Sequence, residues 1–146
     1  MSITKTDSYK IRPLRHLVLR AGKPYSTTSY DKDCEKETFH LAKINNDIVL
    51  CCATFYPETT NKIASKKAFR LRGMATHPNY RRNGIAKELM KEAIKKLKAK
   101  QCDLIWCNAR LNALEFYKSI GFKIKGKIFN IEDIGPHYWM FRVLKH

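Results

Sequence analysis

Residues 81–86, Arg-Arg-Asn-Gly-Ile-Ala, have the composition of a turn that binds an anion. They follow an apolar stretch that ends at Thr76, and an amphipathic segment with helical spacing comes after them. A helix N-terminus offers an anion unpaired N–H groups and the positive end of its dipole. Gly84 lets the backbone approach closely because it has no Cβ, and Arg81 and Arg82 add positive charge. The turn therefore predicts a binding site for a ligand that carries a pyrophosphate.

The chain is strongly basic for its size. Its 146 residues include 29 Lys and Arg against 13 Asp and Glu, a formal net charge of +16. Such an excess suggests nucleic acid, an anionic cofactor or an acidic partner. A solvated cationic face also explains many of these lysines without any ligand. At this length we expect one domain, residues 1–146, with a substantial core.

The cysteines and the N-terminal segment favour a cytoplasmic protein. The five cysteines form no C-x-x-C pair, and an odd number without a signal peptide indicates reduced thiols. No stretch is long enough to span a bilayer. Cys51 and Cys52 lie in an apolar run and are interpreted as core residues, with a catalytic cysteine as the alternative. The histidines, His146 among them, are scattered, so no metal site is expected.

Hydrophobic periodicity predicts an α/β chain with a mixed sheet. Helical spacing is predicted for Tyr9–Arg20, for Gly84 through Leu97, and for Leu111–Tyr117 with Gly121 as its C-terminal stop. Six strands are predicted, over Thr38–Ile44, Ile48–Tyr56, Ala68–Thr76, Asp103–Cys107, Phe122–Phe129 and Tyr138–Leu144. Asn45-Asn46-Asp47 is a hairpin signal, and Ala21–Glu37 and Pro57–Ser65 are predicted loops.

A second block runs from Asn112 to Phe122 and reads Asn-Ala-Leu-Glu-Phe-Tyr-Lys-Ser-Ile-Gly-Phe. Together with the 81–86 turn and its preceding strand, it resembles the GCN5-related N-acetyltransferase (GNAT) superfamily over roughly residues 67 to 122. The family signature is Q/R-x-x-G-x-G/A after a strand ending in V-x-P, followed by a block ending in F/Y-Y-x-x-x-G-F. This chain departs from it at Thr76, where the family usually has Val.

The resemblance implies the acyl-CoA N-acyltransferase fold, a mixed and mostly antiparallel central sheet with helices on both faces. It implies acetyl transfer from acetyl-CoA to a primary amine of a small molecule or peptide, by direct attack in a ternary complex. More narrowly, Leu14–Arg20 and Gly135–Met140 resemble the ElaA-like bacterial subgroup. Members of the family often dimerise, so a homodimer is an open alternative.

The resemblance also implies which residues hold the donor. In the family the turn binds the pyrophosphate of CoA, and the pantetheine arm pairs with the strand before it, where a backbone N–H near Met74 would receive the thioester carbonyl. Asn112 would reach the cofactor from the second block, or is an ordinary residue of a helix N-terminal turn. The implied cofactor-binding residues are Met74, Ala75, Thr76, Arg81, Arg82, Asn83, Gly84, Ile85, Ala86 and Asn112.

Tyr117 matches the family tyrosine that faces the departing thiolate. A phenol with a pKa of about 10 can protonate a thiolate whose conjugate acid has a pKa of about 8.5. Spacing alone favours packing of Phe116 and Tyr117 under the sheet, and the matched block favours the catalytic role.

The general base is less clearly indicated. A primary amine is almost fully protonated at neutral pH, so a base or a water must take its proton. His137 is favoured as a catalytic residue, because histidine changes protonation near neutral pH. It is predicted to lie between the last two strands, a segment that borders the acceptor pocket in this family. Further candidates are Glu132, Asp133, Glu35, Glu37 and His40.

Two other functions compete with acetyl transfer. The charge would suit a nucleic-acid-binding module, but the chain has no recognisable helix-turn-helix, RRM-like or zinc pattern. A pseudo-enzyme that binds CoA only for stability is the second alternative. Nucleic acid and membrane partners are therefore not expected, and the sequence does not identify the amine.

Overall fold

The computed structural model describes residues 2–145, so Met1 and His146, at the ends of the predicted domain, lie outside the described residues. The described residues form eight strands and three α-helices. In chain order these are β1 Ile3–Thr6, α1 Ser8–Leu19, β2 Phe39–Asn45, β3 Ile48–Pro57, β4 Ala68–Thr76, α2 Ile85–Ala99, β5 Leu104–Arg110, α3 Leu114–Ser119, β6 Lys123–Ile124, β7 Phe129–Ile131 and β8 Gly135–Val143.

The strands pair in the order β1-β2-β3-β4-β5-β8-β6, and β7 also pairs with β8. β4 and β5 run parallel over Ala68–Arg70, whereas β1–β2, β2–β3, β5–β8, β6–β8 and β7–β8 are antiparallel. The predicted mixed and mostly antiparallel sheet is therefore confirmed. The chain divides into two compact units, the first holding residues up to Tyr56 with Leu71–Lys96, and the second Pro57–Arg70 with the residues from Leu97 onward.

In the first unit, α1 covers one face of the strands. Asp7 caps the helix, since its carboxylate accepts the Lys10 N–H at 2.9 Å. The buried side chains of Ile11 and Leu14 then pack in one cluster with those of β2, β3 and β4, namely Ala42, Val49, Cys52 and Ala75. Burial of this apolar stripe fixes α1 on the sheet.

The helix α2 of the same unit lies on the opposite face. Lys43 follows Ala42 in β2, so their side chains point to opposite sides of the sheet. The Lys43 ammonium makes a 2.9 Å ion pair with Glu88 of α2. Ala42 packs with α1, and helices therefore cover both faces of the sheet, as the resemblance implied.

The second unit is organised by β5 and β8. Seven residue pairs join the two strands, from Leu104 opposite Val143 to Arg110 opposite His137. One face of this ladder is aromatic, with the buried Trp106 and Trp139 at its centre.

Two predicted strands were wrong in their bounds, and one strand was missed. The strand predicted over Phe122–Phe129 is two short strands, β6 and β7, because the chain turns at Gly126 with φ +89°. The last strand begins at Gly135 instead of Tyr138, since Gly135 and Pro136 pair with β7. Strand β1 was not predicted at all. Its four residues are too few to show a periodicity, and its pairing partner β2 lies far along the chain.

A buried arginine organises the loop between α1 and β2. Arg15 is fully buried, and its guanidinium donates to both Asp33 carboxylate oxygens, at 2.7 and 2.9 Å. It also donates to the Thr28 carbonyl at 2.8 Å and to the Thr54 hydroxyl at 2.7 Å. One side chain of α1 thus fastens two points of the loop and one point of β3.

This pairing determines the charge state of Asp33. Burial by itself raises the pKa of a carboxyl, but the hydrogen bonds from Arg15 and from the Tyr30 N–H outweigh it and hold the pKa of Asp33 below its usual value. Asp33 is therefore ionised at neutral pH and neutralises the buried guanidinium.

We expect Asp33→Ala to lower the free energy of unfolding by about 3–5 kcal/mol, because it leaves the Arg15 charge buried without its partner. The measurement is urea denaturation at neutral pH. Asp31→Ala is the matched control, since Asp31 is an exposed aspartate of the same loop, and it should shift stability by no more than about 0.5 kcal/mol. Equal effects of the two variants would contradict the role given to the buried pair.

Candidate active site

The segment before the predicted anion turn is fixed to the sheet. The His77 N–H donates to the Leu50 carbonyl at 2.8 Å, and the His77 side chain accepts the Asn79 N–H at 3.2 Å. This bond caps the short helical turn Pro78–Tyr80, so His77 is a turn residue.

The turn that the sequence predicts to bind an anion, residues 81–86 (the anion turn), leads into α2, which begins at Ile85. Gly84 has φ +74°, and a Cβ placed there would meet no atom within 4 Å, so open space lies in front of it. The Glu88 N–H of α2 donates a hydrogen bond to the carbonyl of Gly84, the residue just before the helix, at 3.0 Å. The N–H groups of the first turn, those of Ile85 and Ala86 included, therefore have no partner within the helix.

The cationic side chains of the turn are exposed. Arg81, Arg82 and Asn83 lie at the surface, and neither guanidinium has an ion pair or hydrogen bond to any residue from 2 to 145. Arg82 also has φ +65°, a conformation that costs a non-glycine residue free energy and that is concentrated at functional sites. The turn thus combines free N–H groups, unpaired positive charge and open space.

The end of β4 is more constrained. Ala75 is buried against α1, so only its main chain is left for a ligand. The Thr76 hydroxyl lies 3.4 Å from the Cys51 sulfur, and Met74 is half-buried. Gly73, with φ +65°, bends the strand just before these residues, where a Cβ would come within 3.2 Å of the Arg15 Nε and 3.1 Å of the Tyr30 ring.

In the second unit, Tyr117 of α3 is buried against β5. Its ring contacts those of Phe116 and Phe122, each with centroids 5.3 Å apart. Burial raises the pKa of the Cys107 thiol of β5, and a side-chain hydrogen bond with Tyr117 partly offsets that rise. The phenol is thus packed by its ring and lies next to Cys107. Asn112 lies exposed in the short helical turn Leu111–Ala113 before α3.

His137 lies within β8, so its predicted position between the last two strands is wrong. The loop there is only the turn at 132–134, closed by a 3.0 Å bond from the Ile134 N–H to the Ile131 carbonyl. The side chain of His137 is buried, and its Nδ1 lies 2.8 Å from the Gly135 carbonyl. A carbonyl only accepts, so Nδ1 carries the hydrogen and Nε2 of the neutral ring keeps its lone pair.

The other base candidates differ in availability. Glu132, Asp133, Glu35 and Glu37 are exposed. Both ring nitrogens of His40 are occupied, Nδ1 by the Thr54 hydroxyl at 2.8 Å and Nε2 by the Asp33 carbonyl at 3.0 Å, and burial lowers its pKa. Its ring is therefore part of the framework around Arg15.

The buried cysteines have the environment of core residues. Burial raises the pKa of the Cys51 thiol to about 11 and also raises that of Cys52. Neither thiol forms a reactive thiolate near neutral pH under these conditions. Within residues 2–145, no three His, Cys, Asp or Glu side chains are grouped as they would be to hold a metal ion. None of the three helices has the length and apolar character of a membrane span.

Sequence reasoning missed a cavity of about 430 Å³ in the second unit. Trp106, Asn108 and Trp139 line it, on the same face of the β5–β8 ladder as His137. Alternation over Trp106, Asn108 and Arg110 was the signal that could have found it, because it assigns these side chains to one face.

A model of the acetyltransferase (GNAT) family matches residues 9–122. The chain belongs to the GNAT family. It is also 33% identical over 144 residues to the uncharacterized N-acetyltransferase YitI of Bacillus subtilis strain 168, a match that covers 99% of this chain and 95% of YitI. This GNAT protein is therefore an acetyl-CoA-dependent N-acetyltransferase, as the resemblance implied.

Solved structures agree on the fold of this GNAT chain. An aminoglycoside 6'-N-acetyltransferase in complex with coenzyme A has a TM-score of 0.80 at 15% identity, covering 100% of this chain and 98% of that one. ElaA of Escherichia coli has a TM-score of 0.78 at 18% identity, covering 97% and 99%. At these identities the likeness concerns the fold, and the acyl-CoA N-acyltransferase fold is confirmed.

Proposed function

We propose that this GNAT enzyme transfers an acetyl group from acetyl-CoA to a primary amine of a small molecule or peptide by direct attack in a ternary complex. Tyr117 acts as the acid and His137 as the base. The observation that carries the proposal is the placement of these two side chains on opposite faces of the β5–β8 ladder.

Strand alternation supports that placement. Tyr117 reaches Cys107 of β5, whereas His137 stands opposite Arg110 in the register. Residues 107 and 110 are separated by an odd number of positions, so their side chains project to opposite faces. Direct attack needs a proton acceptor on the side of the amine and a proton donor on the side of the leaving sulfur, and the two faces supply one each.

The anion turn fits the phosphates of CoA. Its free N–H groups and the unpaired guanidinium groups of Arg81 and Arg82 are suited to a pyrophosphate. Asn83, Gly84, Ile85 and Ala86 would contribute main-chain groups, as would Met74, Ala75 and Thr76 to the pantetheine, and Asn112 a side-chain amide.

Acetyl-CoA supplies the acetyl thioester, whose C–S bond breaks as the C–N bond to the amine forms. The Nε2 lone pair of His137 accepts the proton that the amine nitrogen loses, and Nδ1 stays bonded to Gly135 throughout. Tyr117 donates its phenolic proton to the departing sulfur, and exchange with water restores both side chains.

The charge of the chain argues against a polycationic acceptor. One solved relative is named as an aminoglycoside N-acetyltransferase. A polycationic acceptor such as an aminoglycoside would be repelled by this chain, whose net charge is +16. Long-range repulsion lowers the association rate of like-charged partners. We therefore propose an acceptor that is neutral or anionic apart from its reacting amine.

We expect Gly84→Val to weaken CoA binding about tenfold, since the new side chain fills the open space before the helix N-terminus. Isothermal titration calorimetry with CoA measures the effect. The matched control is Gly126→Val, because Gly126 also has positive φ, at +89°, and also has no atom within 4 Å of a Cβ. If Gly126→Val weakened CoA binding as much, backbone strain and not the turn would be responsible.

We expect Tyr117→Phe to lower kcat about 100-fold with little change in the affinity for CoA, because only the proton donor is lost. Steady-state assay of thiol release gives kcat, and calorimetry gives the affinity. Cys107→Ala is the control, since it removes the hydrogen bond to Tyr117 but keeps the phenol, and it should retain most of kcat. A wild-type protein that binds acetyl-CoA and acetylates no amine would instead be the pseudo-enzyme.

We expect His137→Gln to lower kcat/KM for the amine about 100-fold, because the side chain that accepts the proton of the amine is lost. The KM for acetyl-CoA should stay unchanged. Steady-state rates at varied concentrations of each substrate test this. An unchanged kcat/KM for the amine in the variant would assign the base to another group or to water.

A further inference from the structure

The cavity of the second unit has the size and walls of a small-molecule site. Its volume of about 430 Å³ lies in the usual range for ligand pockets. The loop after β3 forms one side, and β5, β7 and β8 form the rest. It occupies the ladder face opposite to the one that Tyr117 contacts.

Two stacked indoles line the cavity. The rings of Trp106 and Trp139 are stacked, with centroids 5.9 Å apart and planes inclined by 27°. The Trp106 Nε1–H donates to the Glu58 carbonyl at 3.0 Å, and the Arg70 guanidinium covers the same ring at 4.9 Å from its centroid. The indoles are therefore held in place before any ligand arrives. Because the stacked faces are covered by each other, by Arg70 and by Phe141, an incoming aromatic ring would meet the indoles edge-to-face.

The polar groups of the cavity favour an anion. Among the described residues that line the cavity, Lys62 is the charged one. Its ammonium lies 5.7 Å from the Trp139 ring centroid and has no ion pair with any residue from 2 to 145. The side-chain amide of Asn108 likewise has no hydrogen-bond partner in that range. An ammonium and an amide N–H can both donate to one carboxylate.

One residue of the cavity wall contacts the proposed base. Phe129 lines the cavity and also stacks on the His137 ring, with centroids 6.0 Å apart and planes inclined by 28°. A ligand seated on the indoles therefore lies on the side of the ladder where the amine has to lose its proton.

We propose that this cavity binds the acceptor, and that the acceptor is a small aromatic amine that also carries a carboxylate. The inference rests on the proposed function. The ring packs on Trp106 and Trp139, and the carboxylate accepts hydrogen bonds from Lys62 and Asn108. The amine nitrogen forms the amide bond, its proton passes to His137, and CoA leaves as the free thiol after Tyr117 protonates its sulfur.

Intrinsic fluorescence tests occupancy without requiring catalysis. The chain contains two tryptophans, and both line the cavity. The wild-type enzyme is titrated with L-phenylalanine, with phenethylamine, which lacks the carboxylate, and with L-alanine, which lacks the ring. Excitation is at the red edge of tryptophan absorption, where none of the probes absorbs. We expect a saturable change with phenylalanine, binding of phenethylamine at least about fivefold weaker, and no saturable change with alanine.

Lys62→Glu tests the anion contact, with Lys127→Glu as the matched control. Both lysines are exposed, and both changes alter the net charge equally, but only Lys62 lines the cavity. Lys62→Glu should weaken phenylalanine binding at least about fivefold and strengthen phenethylamine binding, whereas Lys127→Glu should change neither. The far-ultraviolet circular dichroism of the variants confirms that each remains folded.

Three results would overturn the inference. The first is the absence of a saturable change with phenylalanine, and the second is phenethylamine binding as tight as that of phenylalanine. The third is phenylalanine that binds but yields no N-acetyl product by mass spectrometry while other amines are acetylated. Acetylation of other amines without phenylalanine binding would leave the proposed function standing. If no amine is acetylated while CoA binds, the proposed function fails, and the acceptor role of the cavity fails with it.

Discussion

The antiparallel register of β5 and β8 is the constraint on which the second unit depends. Seven consecutive pairs set which side chains of the two strands share a face, and the period of a strand is two residues. A slip of one residue would exchange the aromatic face with the face that carries Cys107. Both tryptophans, His137 and the partner of Tyr117 therefore keep their places together or lose them together.

The first unit depends on a different interaction, the buried pair of Arg15 and Asp33. Desolvation of two charges makes such a pair a poor source of net stability compared with apolar packing. Its value is positional, because the planar guanidinium directs four short hydrogen bonds to the loop and to β3. A loop of mostly polar residues is thereby given one defined path across the sheet.

The sequence was sufficient wherever the signal was local. The hairpin turn was predicted from its residue types, and Asn46 and Asp47 do have the positive φ values of a tight turn, +50° and +65°. The helical period of α2 and the glycine of the anion turn were also recognised from local sequence. The two motif blocks together identified the family.

Features that depend on contacts between distant residues could not be predicted. Arg15 falls among the polar positions of an amphipathic helix, and only Asp33 and Thr54, far along the chain, make its burial acceptable. The length of β8 depends on its pairing with β7. Because of this pairing, His137 lies in a strand and not in the predicted loop. The cavity arises from side chains on β5, β7, β8 and a loop, and none of these segments is distinctive alone.

The bend at Gly73 couples the end of β4 to the buried arginine. The guanidinium groups of Arg15 and Arg72 lie 3.9 and 4.0 Å from the Tyr30 ring centroid, and a Cβ at Gly73 would come within 3.1 Å of that ring and 3.2 Å of the Arg15 Nε. A larger residue at position 73 would therefore require both neighbours to shift. Because Arg15 is held by Asp33 and Thr54, such a shift would disturb the path of the loop as well as the strand.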